Sequence, residues 1–206
     1  DNILDSQPDM YGKNCYFMST DKKTWDRPHY TASNLKPGLF YVIFGSLKNE
    51  LSVNQGDYSF TSLPLGLNTL KYSRSSHPEV FDELCCGYLW DELKSSEPDL
   101  ASKILSSSNC LVIVGDIADQ STLDYFRNII GFITCLLDNG GSIVYDPFMF
   151  KWWSAVEWKE TVFDSNSPQP EQHVKILISE EETAGKCWYH TRGMRKFGRP
   201  DLSMHN

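Results

Sequence analysis

No apolar run in this 206-residue chain approaches the ~20 residues that span a bilayer, so no transmembrane helix is expected. The first residues, Asp1-Asn2-Ile3-Leu4-Asp5, have neither the basic start nor the apolar stretch of a signal peptide. Positive charge is scarce: 19 Lys and Arg stand against 27 Asp and Glu, a net charge of −8. Non-specific nucleic-acid binding needs a broad basic face, which this balance disfavours. There is no Cys-x-x-Cys, and His29, His77, His173, His190 and His205 are scattered, so no metal site is predicted. Neither Gly-x-Gly-x-x-Gly nor Gly-x-x-x-x-Gly-Lys-Ser/Thr occurs, which leaves a nucleotide site without support and no cofactor expected. No serine sits in Gly-x-Ser-x-Gly, and internal repeats and low-complexity tracts are missing too.

What is present is an ordinary globular composition, 40% hydrophobic and 22% charged, with aromatics on the rich side at 13%. Six cysteines (Cys15, Cys85, Cys86, Cys110, Cys135, Cys187) tempt a disulfide reading, but their contexts oppose it. Cys110 opens an apolar strand-like run, Cys135 lies in an apolar helix-like run, and adjacent Cys85 and Cys86 rarely bond without strain. Buried free thiols in a reducing, cytoplasmic protein are the expectation.

Breakers at Gln7-Pro8-Asp9, Arg27-Pro28-His29 and Lys36-Pro37-Gly38 mark residues 1–38 as an extended N-terminal segment, with Cys15-Tyr16-Phe17-Met18 a short strand at most. Leu39 to Phe44 is aromatic and β-branched, a strand closed by Gly45. Residues 46–75 are mixed, Tyr58-Ser59-Phe60 being the best strand fragment. Pro78–Leu93 reads as one helix with a Ser76/Glu79 capping box, and Pro98–Leu105 as another capped by Ser96. Leu111–Val114, a turn at Gly115–Asp119, a helix Gln120–Leu137 and a strand Ile143–Tyr145 read as a βαβ crossover between parallel strands. Asp146-Pro147 would cap a helix over Phe148–Trp158. Strands follow at Val174–Ile178, Lys186–Thr191 and Leu202–Met204, with one helical turn at Met194–Phe197. The predicted fold is α+β (mixed α/β): a βαβ unit and further strands in one sheet with helices packed on it. Residues 39–206 form the domain, with 39–95 either its first half or a lobe packed on it.

The local departure from bland composition is the tail, where Arg192, Arg195, Lys196 and Arg199 fall within eight residues framed by Gly193 and Gly198. Such a cluster fits an anion site, since guanidinium and exposed N–H groups suit carboxylate or phosphate. His190 alternates with Arg192 on one strand, so an acid/base group would lie beside the clamp. Asp116 and Asp146, at the ends of the two strands of the crossover, could converge on the same region. The competing expectation is that Asp119 and Asp146 only cap helices. The aromatic run supplies Phe150, Trp152, Trp153 and Trp158 as interface residues, because on a helix they cannot all face one core.

Thr191-Arg192-Gly193-Met194-Arg195-Lys196-Phe197-Gly198-Arg199-Pro200-Asp201-Leu202 resembles the signature Thr-x-Gly-Leu/Met-x-x-Phe-Gly-x-Pro-Asp/Glu-Leu/Ile of a bacterial domain family of unknown function. The resemblance covers about a dozen residues, implies a bacterial α+β domain and carries no catalytic residue with it. The leading functional expectation is a non-catalytic cytoplasmic protein-binding factor, of an immunity (toxin-neutralising) or regulatory kind, with a protein partner and no membrane or broad nucleic-acid contact. The alternative is a small enzyme for a phosphorylated or carboxylated substrate, built on His190 and Arg192 with Asp116 and Asp146.

Overall fold

A computed structural model describes residues 24–48, 58, 60, 62–163, 169–180 and 186–205. Strands β1 (Gly38–Gly45) and β2 (Leu67–Ser73) are followed by helices α1 (Pro78–Leu84), α2 (Gly87–Ser96) and α3 (Pro98–Ser106). Next come strand β3 (Asn109–Asp116), helix α4 (Asp124–Asp138), and strands β4 (Gly141–Asp146) and β5 (Lys151–Ser154). The chain closes with the short helix α5 (Ala155–Trp158), strands β6 (Lys175–Glu180) and β7 (Cys187–Arg192), a 3-10 turn at Met194–Phe197, and strand β8 (Ser203–His205).

The fold is α+β, as read from the sequence, but the strands divide into two antiparallel sheets. One has the order β2-β3-β1-β4-β5 and the other β6-β7-β8. Both β3 and β4 pair antiparallel with β1, so they run in the same direction with β1 between them. The crossover expected around α4 therefore exists, with a strand inserted into its gap. The large sheet is buried on both faces, which explains the unbroken apolar run of β1. Leu39, Tyr41 and Ile43 face α4 together with Leu111, Ile113, Val144 and Trp153. Val42 and Phe44 face α1–α3 with Val112, Ile143 and Trp152.

Several local expectations need correction. The helix expected over 78–93 breaks at Cys85–Cys86, and Gly87 restarts it at φ +78°, a left-handed conformation that glycine adopts without steric cost. No side chain caps α1 or α3, so neither the Ser76/Glu79 box nor the Ser96 cap forms. Strand β2 was not foreseen; of the strand expected at 58–60, Tyr58 lies in a turn and Phe60 outside any strand. Helix α4 starts at Asp124 rather than Gln120, because residues 24–26 hold its entry. The Leu123 N–H donates to the Trp25 carbonyl (2.7 Å), and the Trp25 N–H to the Asp124 carboxylate (3.0 Å). The fragment expected at 15–18 lies outside the described residues.

The helix expected over Phe148–Trp158 is replaced by a turn, β5 and α5. Asp146 does not cap a helix there; its Oδ1 accepts the N–H groups of Phe148 (2.9 Å) and Met149 (3.3 Å) and closes a tight turn. Period-two alternation along β5 then sends Trp152 into one core and Trp153 into the other.

Candidate functional site

The C-terminal cations share a short stretch of sequence and little else. Gly193, at φ +104°, turns the chain out of β7 where a Cβ would collide with the His173 carbonyl, and the 3-10 turn that follows lays Lys196 over the large sheet. The Lys196 side chain is fully buried, and its ammonium donates to Asp146 Oδ2, also fully buried. Met149 Sδ lies 3.7 Å from the same nitrogen, and the Tyr41 ring centroid lies 5.8 Å away. Tyr125 donates its hydroxyl to the Lys196 carbonyl (2.9 Å), which fixes the turn's backbone. Burial pulls the Lys196 amine below its ordinary value, opposed by the Asp146 charge and hydrogen bond.

His173, 2% exposed, sits beside this pair with its ring 4.6 Å from Phe126. Burial, reinforced by the positive charges of Lys196 and Lys151, holds it well below 6.5 and therefore neutral. Tyr41 is pushed well above 10 by burial and then by Asp146 and Tyr125. Among the described residues the Tyr41 hydroxyl and His173 Nδ1 have no hydrogen-bond partner. The sequence reading missed both groups, because a tyrosine inside an apolar strand and a histidine after a polar loop carry no local signal of sharing a charged centre.

Arg199 is consumed elsewhere. It meets Asp119 (3.4 Å), the Gly198 carbonyl (2.8 Å) and the Thr31 carbonyl (2.6 Å). Asp119 also accepts from Arg27 (2.8 Å) and the Ser33 N–H (3.2 Å), so it pins the N-terminal segment to the tail rather than capping α4. Desolvation would raise the Asp119 carboxyl, but Arg27, Ser33 and Arg199 hold it below its ordinary value. Arg192 is exposed, with its guanidinium 5.3 Å over the Phe150 ring. Arg195 is 62% exposed, 5.5 Å over Phe148, and reaches Asp116 only at 3.8 Å. Four cations within eight residues of sequence thus take different partners, and no two of them share one. Arg195 and Arg199 line a groove of about 510 Å³ with Lys36 and Asn34, but Asp116 and Asp201 share that groove and offset its charge.

The alternative catalytic set does not assemble either. His190 and Arg192 lie on one face of β7, as expected, and the His190 ring stacks on Trp188 at 4.5 Å. Asp116 is opposite Gly38 on β1, whereas Asp146 falls level with Tyr41, three residues along, so the two carboxylates point to opposite faces of the sheet. Among the described residues no group of three or more His, Cys, Asp or Glu is placed to hold a metal ion. No described helix is long and apolar enough to cross a membrane.

The aromatic residues expected at an interface are mostly interior. Trp153 and Trp158 are fully buried, the latter donating its indole N–H to Thr134 (3.0 Å). Trp152, 8% exposed, stacks on Tyr145 at 3.8 Å. Phe150 and Trp152 both line a cleft of about 260 Å³, and Phe150 is held at φ +54°, a strained conformation for a bulky residue.

The exposed apolar surface lies instead on the small sheet. Directly opposed residues share a face, so Ile176 with Thr191, and Ile178 with Tyr189 and Met204, form one surface. Leu202 joins it, its backbone hydrogen-bonded to Thr191. Ile176 (67%), Ile178 (63%), Leu202 (61%) and Met204 (63%) are all largely exposed. Glu180 is the charged strand residue on this face; Lys175, His190, Arg192 and His205 occupy the reverse. The strand at Val174–Ile178 was legible, but its consecutive apolar residues Ile176-Leu177-Ile178 carry no signal of which face is left exposed. No protein family, curated protein or solved structure matches this chain.

Proposed function

We propose that this chain is a non-catalytic protein-binding factor of the immunity or regulatory kind, whose contact surface is the apolar face of the small sheet. The carrying observation is the exposure of Ile176, Ile178, Leu202 and Met204 together on one side of three hydrogen-bonded strands. An antiparallel sheet commonly turns one face to water, but that face is then polar. A contiguous apolar patch on a sheet is the mark of a surface that is covered in use.

Charge supports a basic partner. Among the described strand residues the face carries Glu180 and no cation, and the whole chain is at −8, so the fitting partner presents apolar side chains within a Lys/Arg-rich rim. The five cysteines that are free among the described residues support a reducing, cytoplasmic setting. The Lys196–Asp146 pair supports no catalytic reading, because a sealed and mutually neutralised pair cannot meet an external substrate.

The test is quantitative affinity capture from the source cells with the wild-type chain, Ile176→Asp, Met204→Asp and Arg192→Ala. A basic partner retained by wild type and Arg192→Ala but lost from both aspartate variants is the expected pattern. Retention by both aspartate variants would reject the assignment.

A further inference from the structure

Leu89, Glu92, Leu93 and Ser96 recur at helical spacing, so one face of α2 lines the cleft of about 260 Å³ that also receives Phe150, Trp152 and Lys175. Its floor is apolar and fixed. Leu93 and Trp152 are both buried, and Trp152 is held by its stack on Tyr145. Phe150 joins them from its left-handed backbone conformation, and strain of that kind gathers at ligand clamps. The charges around this floor carry both signs. Glu92, and Glu97 just past the end of α2, bring two exposed carboxylates. Lys175, exposed at the start of β6, brings an ammonium, and Arg192 directly across the ladder extends its guanidinium over Phe150. Lys151 and Glu157 also reach the cleft, but they neutralise each other at 3.2 Å. Among the described residues Glu92, Glu97 and Lys175 enter no ion pair, so opposite charges border one cleft without meeting.

From this arrangement we propose that the cleft binds a free apolar α-amino acid, its ammonium on Glu92 and Glu97, its carboxylate on Lys175 and its side chain on Phe150, Trp152 and Leu93. Charge selects a zwitterion. A simple cation would sit beside an unanswered Lys175, and a simple anion beside two unanswered carboxylates, whereas a zwitterion satisfies both signs at once. Size selects a small one, since the cleft falls below the roughly 300–1,000 Å³ of sites for drug-sized ligands. The buried aromatic floor selects an apolar side chain over a polar one. None of these residues lies on the apolar face of the small sheet, because Lys175 and Arg192 occupy its reverse. The cleft and the partner-binding reading therefore stand or fall separately.

The experiment is isothermal titration calorimetry of the full chain with L-phenylalanine, L-leucine and L-tryptophan. At least one should bind with a Kd of about 0.3 mM or tighter, a range suited to a ligand of about ten heavy atoms. Acetylating its amine or amidating its carboxylate removes one charge, and each change should weaken binding about tenfold. Two variants then show which residues read which charge. With Lys175→Gln, the amino acid and its amide should bind within about threefold of each other, while the N-acetyl form stays weaker than both. With Glu92→Gln and Glu97→Gln together, the amino acid and its N-acetyl form should bind within about threefold of each other, while the amide stays weaker. All three positions are exposed, so these variants leave the fold intact, which far-UV circular dichroism verifies. No saturable heat from any of the three amino acids up to about 10 mM overturns the proposal and leaves the capture experiment untouched. So does a wild type that binds the capped forms as well as the free amino acid, or a discrimination that the charge-removing variants leave unchanged.

Discussion

Removing one member of the Lys196–Asp146 pair leaves the other charge sealed in a core without an opposite charge beside it. Such a break costs about 3–5 kcal/mol, whereas replacing both members with apolar groups is often close to neutral. Lys196→Met should therefore lower stability in urea unfolding by about that amount, and Lys196→Met with Asp146→Leu should recover only part of it, because the Phe148 and Met149 N–H groups then lose Asp146 Oδ1. His173 adds a pH dependence with a definite sign. Its folded-state value lies well below the ordinary 6.5, so the unfolded chain takes up a proton on this residue first. Stability from keeping His173 neutral is complete above about pH 6.5 and is lost as pH falls from there toward the depressed folded value. Wild type should weaken between about pH 7.5 and about pH 5 more steeply than His173→Gln, measured by urea midpoints at each pH. Equal slopes would show that His173 is not the titrating group. The sequence drew attention to the tail cations by their density, and density does not predict destination. Lys196 differs from Arg195 only in falling on the inward side of a four-residue turn, which the pattern Met194-Arg195-Lys196-Phe197 does not announce.

At the scale of elements, periodicity worked where one pattern dominated a segment. β1, β3, α3 and β7 were legible because their apolar spacing fits one period and their ends carry glycine, proline or polar residues. The stretch 148–158 was not, because adjacent Trp152 and Trp153 can be explained as a helix with one exposed face or as a strand buried on both. Only the sheet on one side and helices on the other decide between them. The same ambiguity hid the break between α1 and α2, since residues 80–89 keep helical spacing across it. Gly87 makes that break, and a Cβ added there would meet nothing within 4 Å, so the cost of a side chain is in the backbone alone. Gly87→Ala should destabilise the protein by about 1–2 kcal/mol in thermal or urea unfolding. An unchanged midpoint would mean that the α1–α2 junction tolerates another conformation.

For the molecule as a whole, division into two sheets separates the buried cores from the exposed apolar face. The large sheet, covered by helices on both faces, holds both cores and the buried charge pair. The small sheet is tied to it through the tail, where Lys196 and Arg199 anchor the segment between β7 and β8. That anchoring explains why a cation-rich tail need not be a ligand site: half of its positive charge fastens the chain to itself. The surface left over on the small sheet is apolar with Glu180 at one end, which is the face proposed to meet a basic protein. Site-specific photocrosslinking in the source cells tests this most directly, with a benzophenone amino acid placed at Met204 on the apolar face or at Ser96 beside the cleft. A single partner adduct formed from Met204 and not from Ser96 is the expected result. An adduct formed only from Ser96, or none from Met204 in cells where the chain is known to be bound, would contradict the account.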